Sequence, residues 1–476
     1  MELLNRASKN IFYKTIAEIF SRLIYMVFFI YMARKLGVSD FGLFSFSFSF
    51  TGIFVILMDP GLNAIMTRDV AKNISLSSDY SSNIFMVKLI LSIVTIILIG
   101  GVIFLLGYDN YTIAIVMTMG IYLAMNAFFD FFVAISDAHE RMEVGAIIKV
   151  INKFLISIFG GAVLFLGGKL IGLLDWMIIG SALSVLLGFY LIKKKVSSIK
   201  TKVDWVSAKK ILNDAWPIAL TMTFAIAFFK IDIVMLSLYN INNADIGLYS
   251  ASVKLIEVLN VIPAIIVGGV FPIMASLLQK SKDELVKIFS KVFQILIIIV
   301  IPVIVITTFL SEELINMIYG SAYAGSENAL KILIWTSLFI FPNFILLNLI
   351  IVLNRQRLNM MFSFSCLLLN IILNIFLIPR YGFIGASYAT VATDMLLFAL
   401  AASFAVRYFS DLGFIKSILK PILCGIALSI IIFSIQRLNI ALITSIAVLS
   451  YILLLFASKT LTFEDIRQFR KVLVRS

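Results

Sequence analysis

The stretch ARKLGVSDFGLFSFSFSF (33–50) closes one apolar run and opens the next. Its centre, Asp40-Phe41-Gly42-Leu43-Phe44-Ser45, returns 205 residues later as Asp245-Ile246-Gly247-Leu248-Tyr249-Ser250. A second pair follows in the same order. GLNAIMTRDVAK from Gly61 and GVFPIMASLLQK from Gly269 lie 208 residues apart and share Ile65-Met66 with Ile273-Met274 and Lys72 with Lys280. Two ordered matches at nearly one offset mark an internal duplication.

Working outward, apolar windows of at least about 18 residues predict spans at 11–33, 41–58, 84–106, 112–135, 146–166 and 170–192. After the basic break KKKVSSIKTKVDWVSAKK come 213–238, 246–272, 289–310, 329–353, 359–378, 383–406, 417–436 and 439–457. The composition supports fourteen. Of 476 residues, 61% are apolar and 14% charged, against about 25% charged in a soluble domain. The reading is an all-α polytopic membrane protein, and a soluble enzyme, a disordered chain and a disulfide scaffold are excluded. Cys366 and Cys424 both sit inside apolar runs, and the single histidine, His139, excludes a histidine-based metal cluster. Gly167-Gly168-Lys169 lacks the phosphate-loop pattern, with Val163 where the first glycine belongs and Leu170 after the lysine, so no nucleotide motor or other cofactor is expected.

The net charge of +13 is explained by its distribution. An even span count with both termini cytoplasmic places 30 of the 39 Lys and Arg in cytoplasmic segments, 6 outside and 3 within spans (Arg22, Lys230, Lys254). That is a positive-inside bias, which leaves no call for nucleic acid. The expected address is the cell membrane, crossed many times.

The duplication divides the chain into an N-lobe (1–195, spans 1–6), a basic cytoplasmic linker (196–212), a C-lobe (213–410, spans 7–12), spans 13–14 (411–458) and an amphipathic cytoplasmic tail (459–476). Six spans per copy is even, so the two lobes are parallel repeats.

Several stretches resemble one family. These are ARKLGVSDFGLFSFSFSF, DPGLNAIMTRDVAK from Asp59, AWPIALTMTFAIAFFKIDIVMLS from Ala215, ADIGLYSASVKLIEVLNVIP from Ala244 and IPRYGFIGASYATVATD from Ile378. Together they resemble the polysaccharide transporter (O-antigen flippase) family of the multidrug/oligosaccharidyl-lipid/polysaccharide exporter superfamily. The resemblance implies a MATE-like fold and translocation of a polyprenyl-diphosphate-linked oligosaccharide to the exterior leaflet. It also implies a cationic cavity, and it leaves contact with polysaccharide-assembly enzymes open.

A cation near the bilayer centre costs about 2.5–3.5 kcal/mol, so Arg22, Lys230 and Lys254 are the expected diphosphate ligands. Glu18, Asp232, Glu257 and Asp394 are candidates for coupling a proton or Na+ or for pairing with those cations. Pro60, Gly61, Pro263 and Pro272 are candidate hinges. Two other functions are compatible with a many-span chain: a cation-coupled drug or metabolite exporter, and a membrane-embedded polymerase or ligase. Intramembrane cations favour an anionic substrate over cationic drugs. The longest exterior connection, 311–328, offers no catalytic ectodomain, so an enzyme is not expected.

Overall fold

The computed structural model describes residues 2–196, 203–409, 414–436 and 438–461, without the side chains of 2–12, 14, 15, 19, 217, 218, 220, 221 and 414–417. Most of the proposed amphipathic tail, part of the basic linker and the side chain of Pro217 lie outside the described residues. Within them the chain is helical. The first half holds α1 (Glu2–Met58), α2 (Leu62–Lys72), α3 (Ser77–Leu105), α4 (Asn110–Ala138), α5 (Met142–Phe165), α6 (Leu170–Lys195) and α7 (Trp205–Leu238). The second holds α8 (Asn243–Leu259), α9 (Val261–Lys280), α10 (Lys282–Phe309), α11 (Ser311–Ile318), α12 (Ser326–Leu333), α13 (Ser337–Val352), α14 (Gln356–Phe409), α15 (Phe414–Ile435) and α16 (Ile440–Ala457).

Among the described residues, eleven helical runs are long and apolar enough to cross a membrane. Two of them are double. At about 1.5 Å per residue, the 57 residues of Ile16–Lys72 and the 54 of Gln356–Phe409 far exceed the ~30 Å hydrocarbon layer. Each is kinked where a glycine leaves helical geometry, at Gly37 (φ 75°, ψ 172°) and at Gly382 (φ 56°, ψ −136°). With α7 added, all fourteen predicted spans fall on helices. The surface is correspondingly inverted: Ile97, Leu186 and Phe433 keep 64–69% of their surface exposed, as side chains facing lipid do.

The helices group into two compact units, Met1–Leu238 with Asn242–Gly247, and Tyr239–Ile241 with Leu248–Ser476. In the first, α5 packs on α1 and α6, α4 on α6 and α1, and α7 on α1, α2 and α3. Span 7 thus groups with the first unit, whereas the sequence repeat assigns it to the second copy. In the second unit, α10 packs on α15, α13 and α9, and α13 packs on α14.

Short α2 is amphipathic. Leu62, Ile65, Met66 and Val70, spaced to form one helical face, are fully buried against Phe131, Phe132 and Ile135 of α4 and Ala208, Ile211 and Ala215 of α7. Burying each large apolar side chain contributes about 1.5–3 kcal/mol, which fixes α2 to the bundle. Its other face carries Arg68, Asp69 and Lys72.

The repeated Asp-Phe/Ile-Gly motif has a structural counterpart inside the first unit. A Cβ placed on Gly42 would lie 1.7 Å from the Asn243 carbonyl oxygen, and one on Gly247 would lie 2.1 Å from that of Val38. Val38 and Asn243, like Gly42 and Gly247, are 205 residues apart. The contact is therefore reciprocal, each copy's glycine receiving the other copy's backbone, and only a residue without a Cβ permits that approach.

Candidate functional site

Lipid-facing helices tolerate few charges, so the charged groups that cluster in the first unit require an account. On α1, Arg22 Nε donates to Glu18 Oε1 at 2.7 Å, one turn away. The second Glu18 oxygen accepts from Lys149 Nζ on α5. One turn further along α5, Lys153 Nζ stands 4.9 Å from the ring centroid of Tyr25 on α1. A single carboxylate thus bridges two cations while a third lies alongside. The side chains of Arg22, Glu18 and Lys149 keep 49%, 36% and 33% of their exposure. Ion pairs this accessible are worth about 0–1 kcal/mol, so little stability is lost when they part. An incoming dianion with several acceptor oxygens can therefore take these donors from Glu18.

Behind this cluster lies a second one. Asp130 of α4 lies within electrostatic reach of Lys153, Lys88, Lys149 and Asp59. Lys88 of α3 is fully buried. Its Nζ pairs with Asp59 Oδ2 at 3.0 Å, donates to Asn63 Oδ1 at 3.1 Å and lies 5.9 Å from the Phe131 ring centroid. The other Asp59 oxygen accepts from the Asn63 backbone N–H at 3.2 Å, capping α2. Asp59-Pro60-Gly61 is thus a true break: Gly61 is left-handed (φ 84°, ψ 11°), and Lys88 holds it. Removing one partner of a buried ion pair typically costs about 3–5 kcal/mol.

The other predicted residues are placed as follows. Lys230 of α7 lies 4.8 Å over the Phe48 ring of α1, a cation–π contact, and Asp232 is buried at 7% exposure. In the second unit, Lys254 Nζ donates to Glu257 Oε2 at 2.7 Å, one turn along the same helix. Asp394 is buried on α14. Pro263 occupies the first turn of α9, and Pro272 lies inside that helix. Within the first unit the fold brings Arg22 to Glu18 and sets Lys230 over the Phe48 ring.

Sequence reasoning missed Lys88, Lys149 and Lys153, which it counted among the thirty cytoplasmic charges. Lysines at a span's end ordinarily extend to the headgroups, so that assignment was the default. The available signal was the spacing of four between Lys149 and Lys153 inside the span predicted at 146–166, which puts both on one face.

Known proteins share this architecture. A solved lipid II flippase, MurJ in an inward closed conformation, superposes with a TM-score of 0.73 at 17% identity, covering 95% of this chain and 99% of that one. An inward-facing multidrug resistance MATE family transporter superposes with a TM-score of 0.67 at 12% identity, covering 82% and 95%. In sequence, the chain is 22% identical over 419 residues to a Haloferax volcanii protein named a probable low-salt glycan biosynthesis flippase, Agl15, covering 87% of this chain and 85% of that protein. The MatE family also matches residues 217–376. The family described as polysaccharide biosynthesis protein matches residues 7–278, more than half the chain. On that match, the chain belongs to the polysaccharide biosynthesis protein family.

Proposed function

We propose that the chain is a flippase carrying a polyprenyl-diphosphate-linked oligosaccharide from the cytoplasmic to the exterior leaflet by alternating access, with both termini cytoplasmic. The observation that carries this reading is the cluster of Arg22, Lys149 and Lys153 around one displaceable carboxylate, Glu18. A diphosphate is the lipid-borne group whose charge and acceptor count match such a cluster. Family membership and the name of the Haloferax volcanii relative support the same substrate class. Lys230, and Lys254 of the second unit, are further diphosphate ligands in this reading.

A dianion leaving a negative-inside cell gains about 2.3 kcal/mol per charge per 100 mV, so the membrane potential can drive transport without an ion at Asp232, Glu257 or Asp394. Collapsing the potential at fixed proton and sodium gradients stops transport if the potential drives it, and spares transport if an ion does. The reading itself is tested by flipping assays on Arg22→Ala and Lys149→Ala. At normal expression, each is expected to lower the rate at least tenfold. Wild-type rates in both would overturn the assignment.

A further inference from the structure

Asp130 and the buried Lys88 have no part in holding a diphosphate as described above, yet they carry charge within reach of both the cation cluster and the break at Asp59-Pro60-Gly61. The charges alternate along the way. Arg22 and Lys149 share Glu18, Lys149, Lys153 and Lys88 all lie within electrostatic reach of Asp130, and Lys88 closes on Asp59. Glu18 and Asp130 each serve more than one cation and Asp59 serves Lys88, so a new anion at one end changes what the later carboxylates are offered. Lys88 has no access to water, and its charge must be balanced by these acids and nothing else.

We infer that Asp130 and Lys88 are positioning residues that couple diphosphate binding to the bend between α1 and α2. This rests on the diphosphate reading of the cluster. When a diphosphate takes Lys149 and Lys153, two of the three cations within reach of Asp130 turn to the new anion, and Asp130 draws Lys88 more strongly. The Lys88–Asp59 bond weakens, the cap on α2 loosens with it, and the left-handed turn at Gly61 is free to re-orient α2. In the empty protein the same chain runs in reverse and holds the bend fixed. The relay lies wholly inside the first unit. At an offset of 208 residues the second copy places Val267 opposite Asp59 and Leu296 opposite Lys88, both buried, so it has no such device.

The test uses the full chain in lipid nanodiscs with farnesyl diphosphate, a short polyprenyl diphosphate, as probe. Ala64 on α2 is exposed, and an Ala64→Cys thiol in a Cys366→Ala/Cys424→Ala background reports α2 through its rate of maleimide labelling. The parent is expected to change that rate at least threefold on binding the probe. Asp130→Asn and the double variant Asp59→Val/Lys88→Leu are expected to bind the probe within threefold of the parent affinity and to change labelling by less than 1.5-fold. Asp130→Glu is expected to restore the response. The double variant removes both charges together, leaving no buried ion unpaired, and so separates the relay from folding. If either uncoupled variant responds as the parent does, or the parent binds without any change at Ala64→Cys, the relay is wrong and the diphosphate reading stands. If the parent does not bind the probe, the diphosphate reading falls and the relay with it.

Discussion

At Asp59-Pro60-Gly61 the chain leaves α1 through a left-handed glycine, and a buried lysine ties the turn to α3. The corresponding Val267-Gly268-Gly269 lies within continuous helix, since α9 runs from Val261 to Lys280. There the interruption comes earlier, at Asn260, in ordinary right-handed geometry (φ −64°, ψ −11°) without a side-chain cap. One ancestral segment has thus become an ion-locked corner in one copy and a proline-bearing helix in the other. The totals can be similar, because replacing a buried ion pair by packed apolar groups is often neutral or stabilising. What differs is conditionality. An apolar pair holds regardless of nearby charge, whereas an ion pair in a dry site depends on every other charge near it.

The largest effect should come from breaking the locked corner. Lys88→Met strands Asp59, and a loss of about 3–5 kcal/mol is expected, read as a fall in the midpoint of thermal unfolding. Asp59→Val/Lys88→Leu, which copies the second repeat's residues, should recover most of that loss. A double variant as unstable as the single one would show that the two corners are not equivalent.

Next in size is the reciprocal glycine contact. Gly42→Ala puts a methyl where the Asn243 carbonyl oxygen lies 1.7 Å away, so backbone must move, at about 1–3 kcal/mol. Reciprocity predicts a similar cost for Gly247→Ala. A large difference between the two melting points would mean that only one half of the contact bears load.

A smaller effect belongs to the cap of α4, a type of cap that the α9 start lacks. Asp109 accepts from the Thr112 hydroxyl and from the Tyr111 and Thr112 backbone N–H groups. The Thr112 hydroxyl above all, then these N–H groups, holds its carboxyl below the usual carboxylate range. A depressed folded value means that the cap is fully present above the ordinary Asp value of about 3.9 and is lost as pH falls through the folded one. Asp109→Ala should therefore cost about 0.5–2 kcal/mol at neutral pH, a cost that shrinks as pH falls below the ordinary Asp value, in melts run across the acid range.

The smallest is Pro263→Ala. In the first turn of a helix proline replaces an amide that has no helical acceptor, so a change under about 1 kcal/mol is expected. A larger loss in the same melts would show that the second copy's bend depends on this proline after all.

Much of the fold was legible in the sequence because lipid imposes a one-dimensional rule. Each span must be a helix of about 20 apolar residues, so all fourteen could be read as runs. The kinks were not legible, since GVSDFG around Gly37 and YGFIGAS around Gly382 could as well be loops as bends within one continuous helix. Part of the site was legible too. Glu18–Arg22 and Lys254–Glu257 follow from helical spacing, and each pair forms. The second cation on Glu18 was not, because Lys149 is 131 residues away and nothing local brings α5 to α1.

The sequence by itself determined that this is a duplicated, many-span membrane protein with cations inside it, because hydrophobic length, charge sidedness and repeat offset are properties of order along the chain. Tertiary structure alone decided which charges meet. It moved Lys88, Lys149 and Lys153 from the presumed surface into a network, set Lys230 over an aromatic ring, and turned a repeated Asp-Phe/Ile-Gly motif into a contact between its own two copies. Those outcomes depend on which helix faces pack together. In a chain this uniformly apolar, pattern says little about facing, and the rare charges find their partners only once the helices have closed around them.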